Sequence, residues 1–155
     1  MGNANGVFGV GLCYQYGFGV EKDDHKAFIY YQKSAEMGHF VGAYKLGNYY
    51  KYGIGIEKDE IKAFIYHRKS AEMGYIDGMS SVAECYRCGI SVIRDLDKAK
   101  YWYQRSRENY LTLVKNEWIN NLEIEDDLKK KFIESKYQLS WISFDEFKNI
   151  KMTDL

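Results

Sequence analysis

Small and apolar residues recur along this chain at helical spacing, in blocks that return at a fixed interval. Near its middle, Ala43, Leu46, Gly47 and Tyr50 stand at i, i+3, i+4 and i+7, one face of a helix over about 40–52. Gly53 follows, where a residue without Cβ takes the left-handed conformation that stops a helix at no steric cost. Gly55 allows a second reversal, and Asp59 stands where a side chain must accept from the open amides of the next helix. That second helix is predicted over about 60–73, with Ala63, Tyr66 and Ala71 on one face and Gly74 ending it. The same pair of elements is predicted at about 4–16 and 24–37, and again at 76–88 and 96–109.

The interval is 36 residues. Gly17-Phe18-Gly19-Val20-Glu21-Lys22-Asp23 is a near copy of Gly53-Ile54-Gly55-Ile56-Glu57-Lys58-Asp59, and Gly89-Ile90-Ser91-Val92-Ile93-Arg94-Asp95 is a worn one, since 53 − 17 = 36 and 89 − 53 = 36. Residues 17–38 and 53–74 agree at 16 of 22 positions, too many for chance spacing. A fixed period of this length marks a solenoid, and it removes the phosphate-loop reading that an isolated Gly-x-Gly invites. Gly11, Gly47 and Ala83 on the first helices and Ala27, Ala63 and Ala99 on the second leave room for close pairing, with Tyr14, Tyr50 and Tyr86 expected to dock there. Beyond Tyr110 the period stops. Leu111, Val114, Trp118, Ile119 and Leu122 keep helical spacing, Glu123 to Asp127 reads as a turn, and a further helix is expected over about 126–139. These elements would cap the open end that a solenoid presents.

The pattern A-x-x-L-G-x-x-Y-x-x-G-x-G-[VI]-x-K-D-x-x-K-A-x-x-[WY]-x-x-K-[AS]-A-E-x-G resembles the Sel-1-like repeat, a helical-hairpin relative of the tetratricopeptide repeat. Repeat two carries it as Ala43, Leu46-Gly47, Tyr50, Gly53, Gly55-Ile56, Lys58-Asp59, Lys62-Ala63, Tyr66 and Lys69-Ser70-Ala71-Glu72 with Gly74. Repeat one has Val7 and Val10 at the leading positions; repeat three has Met79, Val82-Ala83 and Ser91, so its connector departs from the pattern. The resemblance implies an all-α fold, a right-handed α-solenoid of antiparallel helix hairpins with a C-terminal helical cap. Its domains would be three repeats at 2–37, 38–73 and 74–110, capping helices at 111–139, and a tail at 140–155. Within the tail, Trp141-Ile142-Ser143-Phe144-Asp145-Glu146-Phe147-Lys148-Asn149-Ile150 is similar to the lead-in of tyrosine-kinase-like protein kinases found beside Sel-1-like repeats. No glycine-rich loop, strand lysine or catalytic-loop Asp follows it, so this resemblance implies at most the regulatory arm of a kinase, or a kinase partner.

Composition narrows the function classes. Lys plus Arg and Asp plus Glu are both 22; residues 111–155 hold 7 basic and 9 acidic side chains, which leaves 15 and 13 before them. Neither half has the basic footprint of a nucleic-acid binder, and the one compact cluster, Lys129-Lys130-Lys131, directly follows Glu125, Asp126 and Asp127. The chain lacks an apolar run of about 18–20 residues and a signal-peptide pattern, so the expectation is a soluble cytoplasmic protein that touches neither nucleic acid nor membrane. Cys85 and Cys88 spell C-x-x-C, but no second ligand pair accompanies them, and they fall where a helix ends rather than where one opens after a strand. No cofactor, metal or catalytic set is expected, and the paired acids Asp23-Asp24 are explained by the helix dipole.

What remains is a surface. Between the members of the core stripe, the first helices of the three repeats carry Phe8, Leu12 and Tyr16; Tyr44, Asn48, Lys51 and Tyr52; and Ser80, Glu84 and Arg87. In stacked hairpins of the tetratricopeptide kind these positions line the concave side. Aromatics with a polar surround are the composition of a binding hot spot. The expected function is a non-catalytic scaffold or adaptor that holds a peptide of a protein partner, with self-association left open. The competing expectation is that these rings pack against the neighbouring repeat.

Overall fold

A computed structural model describes residues 3–121 of the chain. It contains six helices, α1 Ala4–Tyr16, α2 Asp24–Glu36, α3 Phe40–Tyr52, α4 Glu60–Glu72, α5 Ile76–Cys88 and α6 Leu96–Asn121, and no strand among the described residues. Paired as α1–α2, α3–α4 and α5–α6, they form the α-solenoid of helix hairpins that the period implies. The chain divides into two compact units, Met1–Thr112 and Leu113–Leu155. Of the expected caps, only the continuation of α6 to Asn121 is described; the turn at 123–127, the helix at 126–139 and the kinase-like tail at 140–155 lie outside the described residues.

Each connector is built by the same local chemistry. Gly17, Gly53 and Gly89 close α1, α3 and α5 with φ of 74°, 66° and 72°. Asp23, Asp59 and Asp95 then open the following helix, each side chain accepting from the amide three residues on at 2.9 Å. Their own amides donate back to Tyr14, Tyr50 and Tyr86 carbonyls, each at 2.9 Å, which fixes the angle between paired helices. The worn third copy keeps this geometry. Ser91 takes the left-handed φ of 60° where the other copies have Gly19 and Gly55, a conformation that costs a residue with Cβ about 1 kcal/mol.

Two clusters stitch the hairpins together. Ala27, Phe28, Tyr31 and Ala35 of α2 bury Ala43, Leu46 and Tyr49 of α3; Phe64 and Ala71 of α4 bury Met79, Val82 and Ala83 of α5 together with Trp102. The side chains seated against the small residues are not the expected ones. A Cβ on Gly11 would stand 2.7 Å from the Tyr31 ring, and one on Gly47 would stand 2.4 Å from the His67 ring. Tyr14 and Tyr50 instead stack on Tyr30 and Tyr66, while Tyr86 meets Phe64 edge-on. The reason is direction: Tyr31 and His67, in register on the second helices, face Gly11 and Gly47, whereas the Tyr14 row sits one turn further toward the connector and is covered by lysine stems. Lys26, Lys62 and Lys98 each hold their ammonium 5.3–5.4 Å above those rings.

Candidate functional site

The ten first-helix residues singled out by the repeat pattern separate into two groups. Phe8 packs on the rings of Tyr31 and His39, and Leu12 lies against the same cluster. Tyr44 is half-buried between His67 and Tyr75, at centroid distances of 5.4 and 5.2 Å. Asn48 Oδ1 accepts from His67 Nε2 at 3.0 Å, and Ser80 Oγ meets Ser106 Oγ at 3.0 Å and the Ile76 carbonyl. These five make contacts within and between hairpins. The other five open outward, although Glu84 is half-buried and tied to Tyr103 of the paired helix. Tyr16 and Tyr52 are 54% and 63% exposed, Tyr16 stacks on the equally open Phe18, and the Lys51 ammonium lies over the Tyr52 ring at 5.2 Å. Arg87 forks onto Glu84, whose carboxylate also accepts from the Tyr103 hydroxyl and the Cys88 thiol.

Three of the five outward residues share a cavity. Lys51, Tyr52 and Glu84 line a space of about 190 Å³ at the seam of repeats two and three, with Lys58 and Glu60 at its edge and Ala63, Phe64, Cys85 and Ile90 supplying apolar surface. Its charge is balanced locally: Lys58 pairs with Glu60 at 2.7 Å and Arg87 with Glu84, while Lys51 has no carboxylate within ion-pair distance among the described residues. Three donors hold Glu84 ionised, drawing its pKa down to about 2, first through Arg87.

His67, which lines the same cavity, escaped the motif-based reading. It is buried, and burial with the Lys51 charge nearby lowers its pKa from 6.5 to about 4, so at neutral pH it is an uncharged donor to Asn48. Its signal in the sequence was the 36-residue row of Tyr31, His67 and Tyr103, each reaching a polar residue of its own first helix: Gln15, Asn48 and Glu84. The row makes His67 a structural tie between paired helices. His39 was likewise missed; its Nδ1 accepts from the Gly42 amide at 3.0 Å and caps α3.

The Sel1 repeat family model matches residues 4–39, 41–75 and 76–109. This chain belongs to the Sel1-repeat family. Among solved structures, a Sel1 repeat protein from Oxalobacter formigenes is 31% identical with a TM-score of 0.68, over 69% of this chain and 43% of that one. A protective antigen of uropathogenic Escherichia coli strains that displays the same repeat fold is 30% identical with a TM-score of 0.67, over 76% of this chain and 25% of that one. Cysteine rich protein B of Helicobacter pylori, 24% identical with a TM-score of 0.55 over 56% of this chain and 65% of that one, shares the fold. The chain thus spans less than half the length of the first two. No curated protein matches the sequence. Sel1 repeats typically serve as protein-interaction modules and are in general non-enzymatic scaffolds. Among the described residues no group of His, Cys, Asp and Glu is placed to hold a metal ion, and no helix is long and apolar enough to cross a membrane. The kinase-like stretch lies beyond the matched repeats.

Proposed function

We propose that this protein is a non-catalytic cytoplasmic adaptor that holds a peptide segment of a protein partner along its first-helix face, with one partner side chain anchored at the seam of repeats two and three. The observation that carries this reading is the common cavity of Lys51, Tyr52 and Glu84, three residues chosen from the repeat register alone. At about 190 Å³ it is smaller than the ~300–1,000 Å³ of small-molecule sites and suits a single large side chain. Tyr52 adds rigid aromatic area at the cavity, the exposed Tyr16 offers a second ring on the first helix of repeat one, and Lys51, Glu84 and Arg87 give a polar rim that selects register rather than affinity. Because the helices are fixed by packing, ordering on the receptor side costs little.

Panning a phage-displayed random peptide library against the full chain tests the reading. Selected peptides should lose at least tenfold in affinity to Tyr52→Ala or Lys51→Ala and keep it with the outer-face control Ile61→Ala/Ile65→Ala. The reverse pattern would place recognition on the second helices and defeat the proposal. The stretch Trp141 to Ile150 motivates a second reading, in which the array serves a protein kinase. A glycine-rich loop encoded within about twenty residues beyond Leu155 would support it, and unrelated sequence there would remove it.

A further inference from the structure

The 36-residue register shows where charge on the first helices is balanced and where it is not. Equivalent positions hold Gln15, Lys51 and Arg87, and the positions three residues earlier hold Leu12, Asn48 and Glu84. In repeat three the two form an ion pair, with the Arg87 guanidinium forked onto Glu84. In repeat one neither is charged, and Gln15 accepts from the Tyr31 hydroxyl. Repeat two has the cation without its acid. Asn48 stands where Glu84 stands, and its Oδ1 already accepts from His67 Nε2 at 3.0 Å. The Lys51 ammonium rests over the Tyr52 ring at 5.2 Å and meets no carboxylate among the described residues.

This cation lines the seam cavity, where the other charges are already matched. Lys58 pairs with Glu60 at 2.7 Å, and the Glu84 carboxylate accepts from Arg87, Tyr103 and Cys88. One positive charge is therefore left over beside an apolar wall of Ala63, Phe64, Cys85 and Ile90. Such a wall penalises a polar group that arrives without a partner, so the occupant needs an apolar stem and one anionic head that reaches Lys51. The Ser81 hydroxyl, on the same wall, can donate a hydrogen bond to that head. The charge count discriminates among heads. A basic side chain would meet Lys51 as a like charge, and a phosphate, with nearly two negative charges, would face Glu60 and Glu84 with the second.

We propose that the partner side chain held at this seam is a glutamate, its methylenes against the apolar wall and its carboxylate on the Lys51 ammonium. The proposal rests on the recognition reading above and names the chemistry of its anchor. The partner supplies to Lys51 the acid that Glu84 supplies to Arg87 within this chain. Aspartate, one methylene shorter, carries the same charge but less apolar stem to bury. Because the pair is charged and lies at an open cavity, it sets which peptide binds, and in which register, more than how tightly, and it weakens with salt.

The test pans five phage libraries against the full chain. Each displays peptides as amino-terminal fusions, so that no free peptide carboxylate is present, with the central residue fixed as Glu, Gln, Asp, Phe or Lys and the flanks randomised without acidic residues. The Glu library should be recovered at least about fivefold above the Gln library and above the other three. Lys51→Met should erase the difference between Glu and Gln, and Lys51→Glu should turn the preference to the Lys library, a gain that an unfolded variant could not show. Best recovery of the Asp, Phe or Lys library by the natural chain overturns the proposal, as does a Glu preference that survives in Lys51→Met. Recovery that needs Tyr52 but ignores the fixed residue overturns the proposal while the recognition reading stands. Recovery from none of the libraries defeats both.

Discussion

Replacing His67 with Tyr should remove most of the loss of stability that the protein suffers as pH falls from 6.5 to 4. In the folded chain the imidazole is buried and its pKa is lowered from 6.5 to about 4; the drop of about 2.5 units corresponds to about 3 kcal/mol. The sign follows from proton counting. Between those values the unfolded chain binds the proton and the folded chain does not, so stability rises with pH, is complete above 6.5, and is lost progressively toward 4. Asp23, Asp59, Asp95 and Glu84 are also held below their usual range, by their hydrogen bonds, but their contributions are lost only in the more acid range below about 4.5. His39 is lowered by burial in the same direction and is common to both proteins, so it cancels in the difference. Tyr is the substitution of choice because Tyr31 and Tyr103 already fill this place in the other repeats, one of them against Gly11. Urea unfolding at several pH values between 4.5 and 7.5 measures the effect: the natural chain should lose stability steeply below 6.5, the variant only slightly. Parallel curves for the two proteins would refute the buried neutral imidazole.

Tyr49 is buried, and its hydroxyl has no hydrogen-bond partner among the described residues, so Tyr49→Phe should leave stability unchanged or raise it by about 1 kcal/mol in urea unfolding; a clear loss would reveal an unrecognised partner. Gly47→Ala improves helix propensity but forces a Cβ onto the His67 ring, and a net loss of about 1–3 kcal/mol is expected in the same assay. Tyr44→Ala should cost about 2 kcal/mol because the ring packs between His67 and Tyr75, whereas Tyr52→Ala should stay within about 0.5 kcal/mol; equal melting temperatures for the two variants would contradict that division.

The helices were legible because their punctuation is chemical. Gly53 defines a stop by its left-handed backbone and Asp59 a start by its side-chain cap, and repetition at 36 residues turned two weak local signals into one strong one. Partner choice within the core was not legible in the same way. Tyr50 and Tyr49 are adjacent and equally aromatic, yet Tyr49 is buried against Tyr31 while Tyr50 stacks on Tyr66, a difference of about 100° around the helix axis that periodicity resolves poorly. The candidate surface was legible as a set of positions but not as a set of roles. Tyr44 and Tyr52 share a face, but Tyr44 packs on the next repeat's Tyr75 while Tyr52 stays open at the rim of the seam cavity, a distinction that depends on how one hairpin leans on another.

Hydrogen exchange of the full chain, with and without a peptide selected from the library, tests the recognition claim most directly. The account predicts added protection in the last turns of α3 and α5 around Lys51, Tyr52 and Glu84, with α2 and the outer face of α4 unchanged. Protection confined to Ile61 and Ile65 on the outer face of α4, or to the exposed Val10 and Phe18 of repeat one, would contradict it.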